Sequence, residues 1–220
     1  MSEPTDAEFQ RVTDKTAALF QEHGKDRVFA LTAEGQFAFP KLGGFAGIAP
    51  DWVNDNVRRI ASEQLGNAEH VAVVDWHTGV GDPETFVFLC FHDGDSAAYK
   101  RACAWWGDEP IEKGMRRFDE FSRPKFRGLL IKGVAESIQT DNVTGVVIEF
   151  GTYPWTDVRN ALLVDQWMRY GPGEKSEADI EKWRAFMLEK FCPSEEGWRV
   201  WALDASTAVH TQAIEGLAKL

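Results

Sequence analysis

Residues 71–82 read VAVVDWHTGVGD, a short apolar run that ends in an aspartate, a histidine and a glycine-rich turn. Nearly continuous apolar runs of this length are typical of strands that are buried on both faces of a parallel or mixed sheet. Residues 85–91 (TFVFLCF) and 144–152 (TGVVIEFGT) repeat the pattern. We therefore predict three buried strands at the centre of the fold.

Helical periodicity surrounds these strands along the chain. After Pro50 and Asp51, for example, apolar residues recur at helical spacing, and proline is tolerated in the first turn of a helix. Helices are predicted over residues 5–23, 50–65, 96–106, 155–170, 176–191 and 194–217. Strands flanked by helices favour an α/β fold with three layers, in which a mixed sheet lies between helices, and a single domain over residues 1–220.

Composition excludes several classes of partner. The chain has 24 Lys and Arg against 35 Asp and Glu, a formal charge of −11 that repels nucleic acid and anionic lipid surfaces. No apolar run approaches the roughly 20 residues that span a membrane, and the N-terminus lacks the pattern of a signal peptide. Three widely spaced cysteines form neither a disulfide scaffold nor a zinc pair. We expect a cytoplasmic protein.

Two of the predicted strands end in the same way, with an ionisable side chain followed by a glycine turn. These side chains are His77 and Glu149, and functional groups of open α/β sheets lie beyond the carboxyl ends of the strands. Asp75 shares a face with His77 if the strand is regular, so it can orient the imidazole. The local pattern also fits a structural histidine, an ion pair between Glu149 and an arginine, and a surface contact of Asp75.

Other candidate features carry weaker signals. Residues 28–32 (VFALT) suit a short strand, and the long loop over residues 34–50 is predicted to form a pocket wall. The Cys90–His92 pair and the tryptophans at 105, 106, 198 and 201 are most simply packing residues. A basic cluster favours a solvated loop over a carboxylate-binding site, and its members are Arg116, Arg117, Arg123, Lys125 and Arg127.

Three segments, taken in order, resemble the later two-thirds of the DUF2817 family. They are GQFAFPKLGGFAGIAPDWVNDNVRRI (35–60), VAVVDWHTGVG (71–81) and VVIEFGTYPWTDVRNALLVDQWM (146–168). That family is a branch of the zinc carboxypeptidase-like (M14) superfamily and is related to succinylglutamate desuccinylase and aspartoacylase. The resemblance implies the zinc carboxypeptidase fold, shortened at its N-terminus, and hydrolysis of an amide bond in a peptide or small-molecule substrate.

The resemblance also implies roles for individual residues. His77 matches the third zinc ligand of such enzymes, and Glu149 matches the carboxylate that acts as general base and then as general acid. Zinc is therefore the expected cofactor. A catalytic zinc is commonly held by two histidines and a carboxylate, with a water molecule in the fourth position.

The chain nevertheless lacks the His-x-x-Glu segment that supplies the first two ligands of the family. Of its five histidines, only His23 and His92 have Asp at the matching position, and both are predicted to be structural. The chain is therefore a shortened gene product, a protein completed by another chain, or a non-catalytic relative. Because missing strands would leave an exposed sheet edge, we expect a homo-oligomer. Two functions stay open, a zinc hydrolase with ligands from outside this chain and a non-catalytic binding or assembly protein.

Overall fold

The structure is a computed structural model that describes residues 6–24, 27, 35–40, 44–119, 126, 128–171 and 173–220. Within these residues the chain forms three strands, β1 Val71–Thr78, β2 Phe86–Leu89 and β3 Val143–Phe150. It also forms eight helices, namely α1 Asp6–His23, α2 Trp52–Leu65, α3 Ala97–Trp106, α4 Asp108–Asp119, α5 Leu130–Ile138, α6 Trp155–Tyr170, α7 Glu177–Phe191 and α8 Glu196–Leu217. No helix in this part of the chain is long and apolar enough to cross a membrane.

The three strands form a mixed sheet in the order β1-β3-β2. β3 lies in the centre, parallel to β1 and antiparallel to β2. Every residue of β3 is buried except Glu149, which is partly buried. The mixed α/β architecture predicted from the three apolar runs is confirmed, while the zinc carboxypeptidase arrangement stays a prediction.

Helices pack on both faces of the sheet. On one face, Val146 and Ile148 of β3 meet Trp106 of α3 and Val209 of α8. On the other face, Val147 packs with residues of α2, α4 and α5, including Ala61, Met115 and Ile131. Alternate residues of β3 enter the two cores because successive side chains of a strand point to opposite faces. Each large apolar side chain buried in this way contributes roughly 1.5–3 kcal/mol to stability.

Two helices, α4 and α5, were not predicted from the sequence. α4 has Pro110 in its first turn, where proline is tolerated, and Gly114, a poor helix former, in its interior. Gly114 has a packing reason, because a Cβ atom there would overlap the carbonyl oxygen of Phe88 in β2. α5 starts after Leu129, whose side chain makes no capping hydrogen bond, and ends at Gln139 in the left-handed conformation. Neither end carries the residue types that usually mark a helix boundary.

The predicted second strand is too long at both ends. β2 comprises only Phe86–Leu89, so Cys90 and His92 do not share a strand face. Cys90 is instead fully buried in the core beside β2. His92 accepts a hydrogen bond from the backbone N–H of Gly145.

Some predicted features fall partly or wholly outside the described residues. The predicted strand at 28–32 lies outside them, as do Arg123, Lys125, Arg127 and the side chains of Arg116 and Arg117. In the described parts of loop 34–50, Gln36 and Phe45 form an isolated β-bridge. The Gln36 side chain also accepts a hydrogen bond of 2.7 Å from the backbone N–H of Phe39. The described parts of this loop are thus held by contacts with each other, and the role of the loop as a pocket wall stays a prediction.

Candidate active site

The parallel pairing of β1 and β3 brings two predicted site residues together. His77 and Glu149 are direct partners in the register, although 72 residues separate them in the chain. Both side chains therefore point to the same face of the sheet, at the carboxyl ends of neighbouring strands. Asp75 lies two residues before His77 in β1 and shares this face. The three predicted residues form one cluster, which we call the His77 cluster.

Each ring nitrogen of His77 faces a carboxylate. Nε2 lies 3.1 Å from Oδ1 of Asp75, and Nδ1 lies 3.6 Å from Oε1 of Glu149. A neutral imidazole carries only one N–H, so one ring nitrogen then points its lone pair at a carboxylate oxygen. The two carboxylates make the electrostatic environment of the ring negative. The arrangement therefore favours a metal cation bound beside His77.

The three side chains of the His77 cluster are exposed to solvent to different extents. The Glu149 side chain is 14% exposed, the Asp75 side chain 21% and the His77 side chain 48%. The carboxylates are thus largely shielded from water while the imidazole is accessible to a ligand. Shielding strengthens their electrostatic interactions with a group bound at His77, because the local dielectric constant is lower than that of water.

The segment that follows Glu149 is held by contacts from two parts of the chain, the turn between β1 and β2 and helix α8. The backbone N–H of Gly151 donates to the carbonyl oxygen of Thr85 at 2.8 Å. The indole Nε1 of Trp198, in α8, donates to the carbonyl oxygen of Gly151 at 2.8 Å. Glycine is required at 151 because a Cβ atom would overlap the carbonyl oxygen of Asp82. The turns after β1 and β3 are therefore in close contact beside the His77 cluster.

Tyr153 anchors the end of this segment to α7. Its hydroxyl donates a hydrogen bond of 2.6 Å to the Glu189 carboxylate, which raises the pKa of Tyr153 to about 12. The same bond, together with contacts from Ser194, lowers the pKa of Glu189. Lys190 lies 3.9 Å from the centre of the Tyr153 ring and pairs with Asp157 at 2.9 Å. These contacts fix the position of the chain four residues after Glu149.

Sequence reasoning identified the members of the His77 cluster but missed the residues that support it. Trp198 is 47 residues from Gly151, whose carbonyl oxygen it contacts. Glu189 is 36 residues from Tyr153, whose hydroxyl it binds. The only signal near the cluster was Tyr153 itself, directly after the Glu-x-Gly-Thr segment. Contacts between residues so distant in the chain produce no local sequence pattern from which they could be predicted.

The two other histidines weighed as metal ligands lie apart from the cluster. His23 is the last residue of α1 and contacts the neighbouring Glu22. His92 accepts a hydrogen bond through Nε2 from Gly145, and burial together with the nearby Arg101 lowers the pKa of its imidazole. A neutral His92 suits this role as an acceptor, and it agrees with the predicted structural function.

The residues of the cluster fit one ligand position of a metal rather than a complete metal centre. His77 offers a nitrogen donor that is oriented by Asp75 and accessible to solvent. Among the described residues, however, no group of three or more His, Cys, Asp or Glu side chains is arranged to hold a metal ion. A zinc ion at His77 would need further ligands from elsewhere.

Comparison with known protein families agrees with the resemblance in the three segments. The sequence model described as "Protein of unknown function (DUF2817)" matches residues 1–205. The chain belongs to the DUF2817 family. The match covers all three members of the His77 cluster, so this DUF2817 protein carries the cluster inside its family region. Searches among curated proteins and among solved structures found no match.

Proposed function

We propose that this DUF2817 protein carries one half of a zinc-dependent amide hydrolase site of the carboxypeptidase or deacylase type. The observation that supports the proposal is the convergence of the Asp75 and Glu149 carboxylates on the two ring nitrogens of His77, at 3.1 and 3.6 Å, which suits a cation bound beside the imidazole. The resemblance to the M14 superfamily, in which these positions are a zinc ligand and a general base, points to the same chemistry.

Each residue of the cluster has a distinct task in this proposal. Asp75 contacts Nε2 of His77 and holds the ring so that Nδ1 faces Glu149. Bound zinc would lower the pKa of a water molecule and polarise the substrate carbonyl. Glu149 takes a proton from the attacking water and delivers it to the leaving amine. The contacts of Gly151 and Tyr153 keep the Glu149 backbone in place during this transfer.

The remaining zinc ligands come from outside this chain in our proposal, because the sequence has no His-x-x-Glu segment. The half-exposed imidazole leaves room for such a contribution. The acidic character of the protein is compatible with binding of a divalent cation, which is attracted by negative charge.

Zinc titration of the full chain tests the ligand assignment. Because this chain supplies only part of the ligand set, we expect weak but saturable zinc binding that is lost in His77→Ala and unchanged in His23→Ala, a matched histidine at the end of α1. Asp75→Asn weakens zinc binding by roughly 10–100-fold if the carboxylate orients the imidazole. Equal zinc binding by the wild-type protein and His77→Ala would refute the assignment.

Hydrolysis assays test the role of Glu149. A panel of N-acyl amino acids and short peptides is incubated with the zinc-loaded chain and with Glu149→Gln. We expect Glu149→Gln to retain zinc and to lower any hydrolysis by roughly 10²–10⁴-fold, the usual contribution of a general base. Equal hydrolysis by both proteins would exclude Glu149 from proton transfer.

A non-catalytic binding or assembly protein is the second candidate function. It is favoured by the lack of three metal-binding side chains in one group among the described residues. In that case the protein keeps the α/β fold but catalyses no reaction. Absence of His77-dependent zinc binding in the titration above would favour this function over the hydrolase.

A further inference from the structure

α6 and α7 form a helical hairpin with a small core of its own. Val158, Ala161 and Val164 of α6 and Trp183 of α7 are buried, and none of them belongs to the two cores on the sheet. Among the described elements, each of these helices packs extensively only against the other. We call the two helices together the α6–α7 hairpin.

The hairpin meets the sheet at the turn that follows His77. A Cβ atom at Gly79 would lie 2.8 Å from Cε1 of Phe191, the last residue of α7, and 3.3 Å from Cγ1 of Val158 in α6. Both helices therefore lie against this one glycine. The Gly79 N–H donates to the carbonyl oxygen of Phe150, the last residue of β3, at 2.9 Å. The contact thus lies at the ends of both strands that carry the His77 cluster.

Two short connections join the hairpin to the rest of the chain, and one side chain links them. The connections are residues 151–154 and 192–195. Glu189, near the end of α7, accepts hydrogen bonds from the Tyr153 hydroxyl at 2.6 Å and from the Ser194 backbone N–H at 3.1 Å. The base of the hairpin is therefore held together, while the packing against the turn after β1 fixes it to the sheet.

A helical unit with its own core and a small contact with the sheet can open without unfolding of the whole protein. Cooperative units that bury few apolar contacts against the remaining structure open at a lower free energy than global unfolding. Opening of the α6–α7 hairpin costs the packing of Phe191 and Val158 against Gly79, but it leaves the two sheet cores intact.

We propose that the α6–α7 hairpin is a conformational device that opens as one unit and that its closed position holds His77. The contact of Phe191 with Gly79 keeps it closed, and we call this contact the latch. With the latch closed, the turn after β1 is confined between the hairpin and β3, so the imidazole stays between its two carboxylates. Opening frees the turn and loosens the ring. An effect on zinc binding rests on the proposed function, whereas the opening itself does not.

Hydrogen exchange of the full chain, followed by mass spectrometry, tests the opening. In the wild-type protein we expect amides of α6 and α7 to exchange together and faster than those of β3. Phe191→Ala removes the latch and accelerates exchange in the hairpin by at least about tenfold relative to β3. Phe191→Leu keeps an apolar contact and has a smaller effect. The matched control is Phe91→Ala, which removes a partly buried ring that packs on one of the two sheet cores.

Chemical modification of His77 tests the effect on the site. The rate of modification by diethyl pyrocarbonate, measured for each histidine by mass spectrometry, reports how freely the imidazole reacts. We expect Phe191→Ala to raise the rate at His77 by at least about twofold, because the ring is no longer held in one position. The rate at His23, whose side chain is 40% exposed against 48% for His77, stays unchanged.

Three results would overturn the proposal. The first is exchange of α6 and α7 at the rate of β3 in the wild-type protein, and the second is an equal effect of Phe191→Ala and Phe91→Ala on the hairpin. The third is faster exchange of the hairpin in Phe191→Ala with no change in the modification of His77. A wild-type protein that shows the opening but binds no zinc would instead contradict the hydrolase function alone.

Discussion

At the scale of single residues, the environment of His77 differs from that of His92. Both are histidines near strand ends, but both ring nitrogens of His77 face carboxylates, whereas His92 accepts a backbone N–H in a buried site near Arg101. Two carboxylates attract a cation bound beside His77, while burial and Arg101 oppose a positive charge on His92. His77 is therefore a candidate metal ligand, whereas His92 makes a structural hydrogen bond.

The bond between Tyr153 and Glu189 leads to a prediction on pH dependence. Tyr153→Phe removes the bond, so we expect the variant to be less stable than the wild-type protein at pH 7. The lowered pKa of Glu189 means that its stabilisation is present above the ordinary glutamate pKa of about 4.3 and is lost as the pH falls through the folded-state value. The stability difference between the two proteins should therefore shrink in acid.

The alkaline limit follows from the pKa of Tyr153. Because that pKa is raised to about 12, the stabilisation is complete below the ordinary tyrosine pKa of about 10 and is lost as the pH rises through about 12. Urea unfolding at several pH values measures both limits. Tyr170→Phe, at a tyrosine that is 45% exposed, is the control. A stability difference for Tyr153→Phe that does not change between pH 7 and pH 3 would contradict the role of the ionised Glu189.

At the scale of elements, two helical glycines show how tertiary contacts determine whether substitution of glycine by alanine stabilises or destabilises the protein. Gly114 in α4 and Gly133 in α5 are both unfavourable for an isolated helix. A Cβ atom at 114 would overlap the carbonyl oxygen of Phe88, whereas at 133 the nearest of the surrounding atoms is Nη2 of Arg58 at 3.8 Å. Only Gly114 is needed for packing of its helix against the sheet.

We expect opposite results for alanine at these two positions. Gly114→Ala destabilises the protein by about 1–3 kcal/mol, because α4 must move away from β2. Gly133→Ala stabilises it by up to about 1 kcal/mol, because alanine is the better helix former and the site is open. Thermal and urea unfolding of both variants measure the difference. A destabilisation of the same size in both would show that close contact with β2 does not constrain α4.

At the scale of the whole molecule, α8 connects the C-terminal region to the His77 cluster. Trp198 packs in the core and donates its indole N–H to Gly151, two residues after Glu149. The helix therefore contributes to the position of the segment that follows Glu149.

Substitution of Trp198 tests this connection. Trp198→Phe leaves the carbonyl oxygen of Gly151 without its donor, and we expect a loss of roughly 1–3 kcal/mol in the free energy of unfolding. Trp52→Phe is the matched control, because Trp52 is 78% exposed and exposed substitutions usually change stability by less than about 0.5 kcal/mol. Urea unfolding followed by circular dichroism measures both. Equal stability of the two variants would mean that the indole bond does not hold the segment after Glu149.

The sequence by itself determined the type of most elements and the members of the candidate site. Long apolar runs are sufficient to predict buried strands, and helical spacing predicted six of the eight helices in the described part of the chain. Asp75, His77 and Glu149 could be identified because ionisable residues rarely end such apolar runs without a reason. These features are local, so a single stretch of sequence carries them.

Only the tertiary structure decided how these parts meet. The strand order β1-β3-β2, the register that pairs His77 with Glu149, and the contacts of Trp198 and Glu189 join residues that are distant in sequence. α4 depends on the fit of Gly114 against β2 rather than on helix propensity. The physical reason is that pairing and packing energies depend on the neighbours across the fold, which a local sequence pattern does not specify.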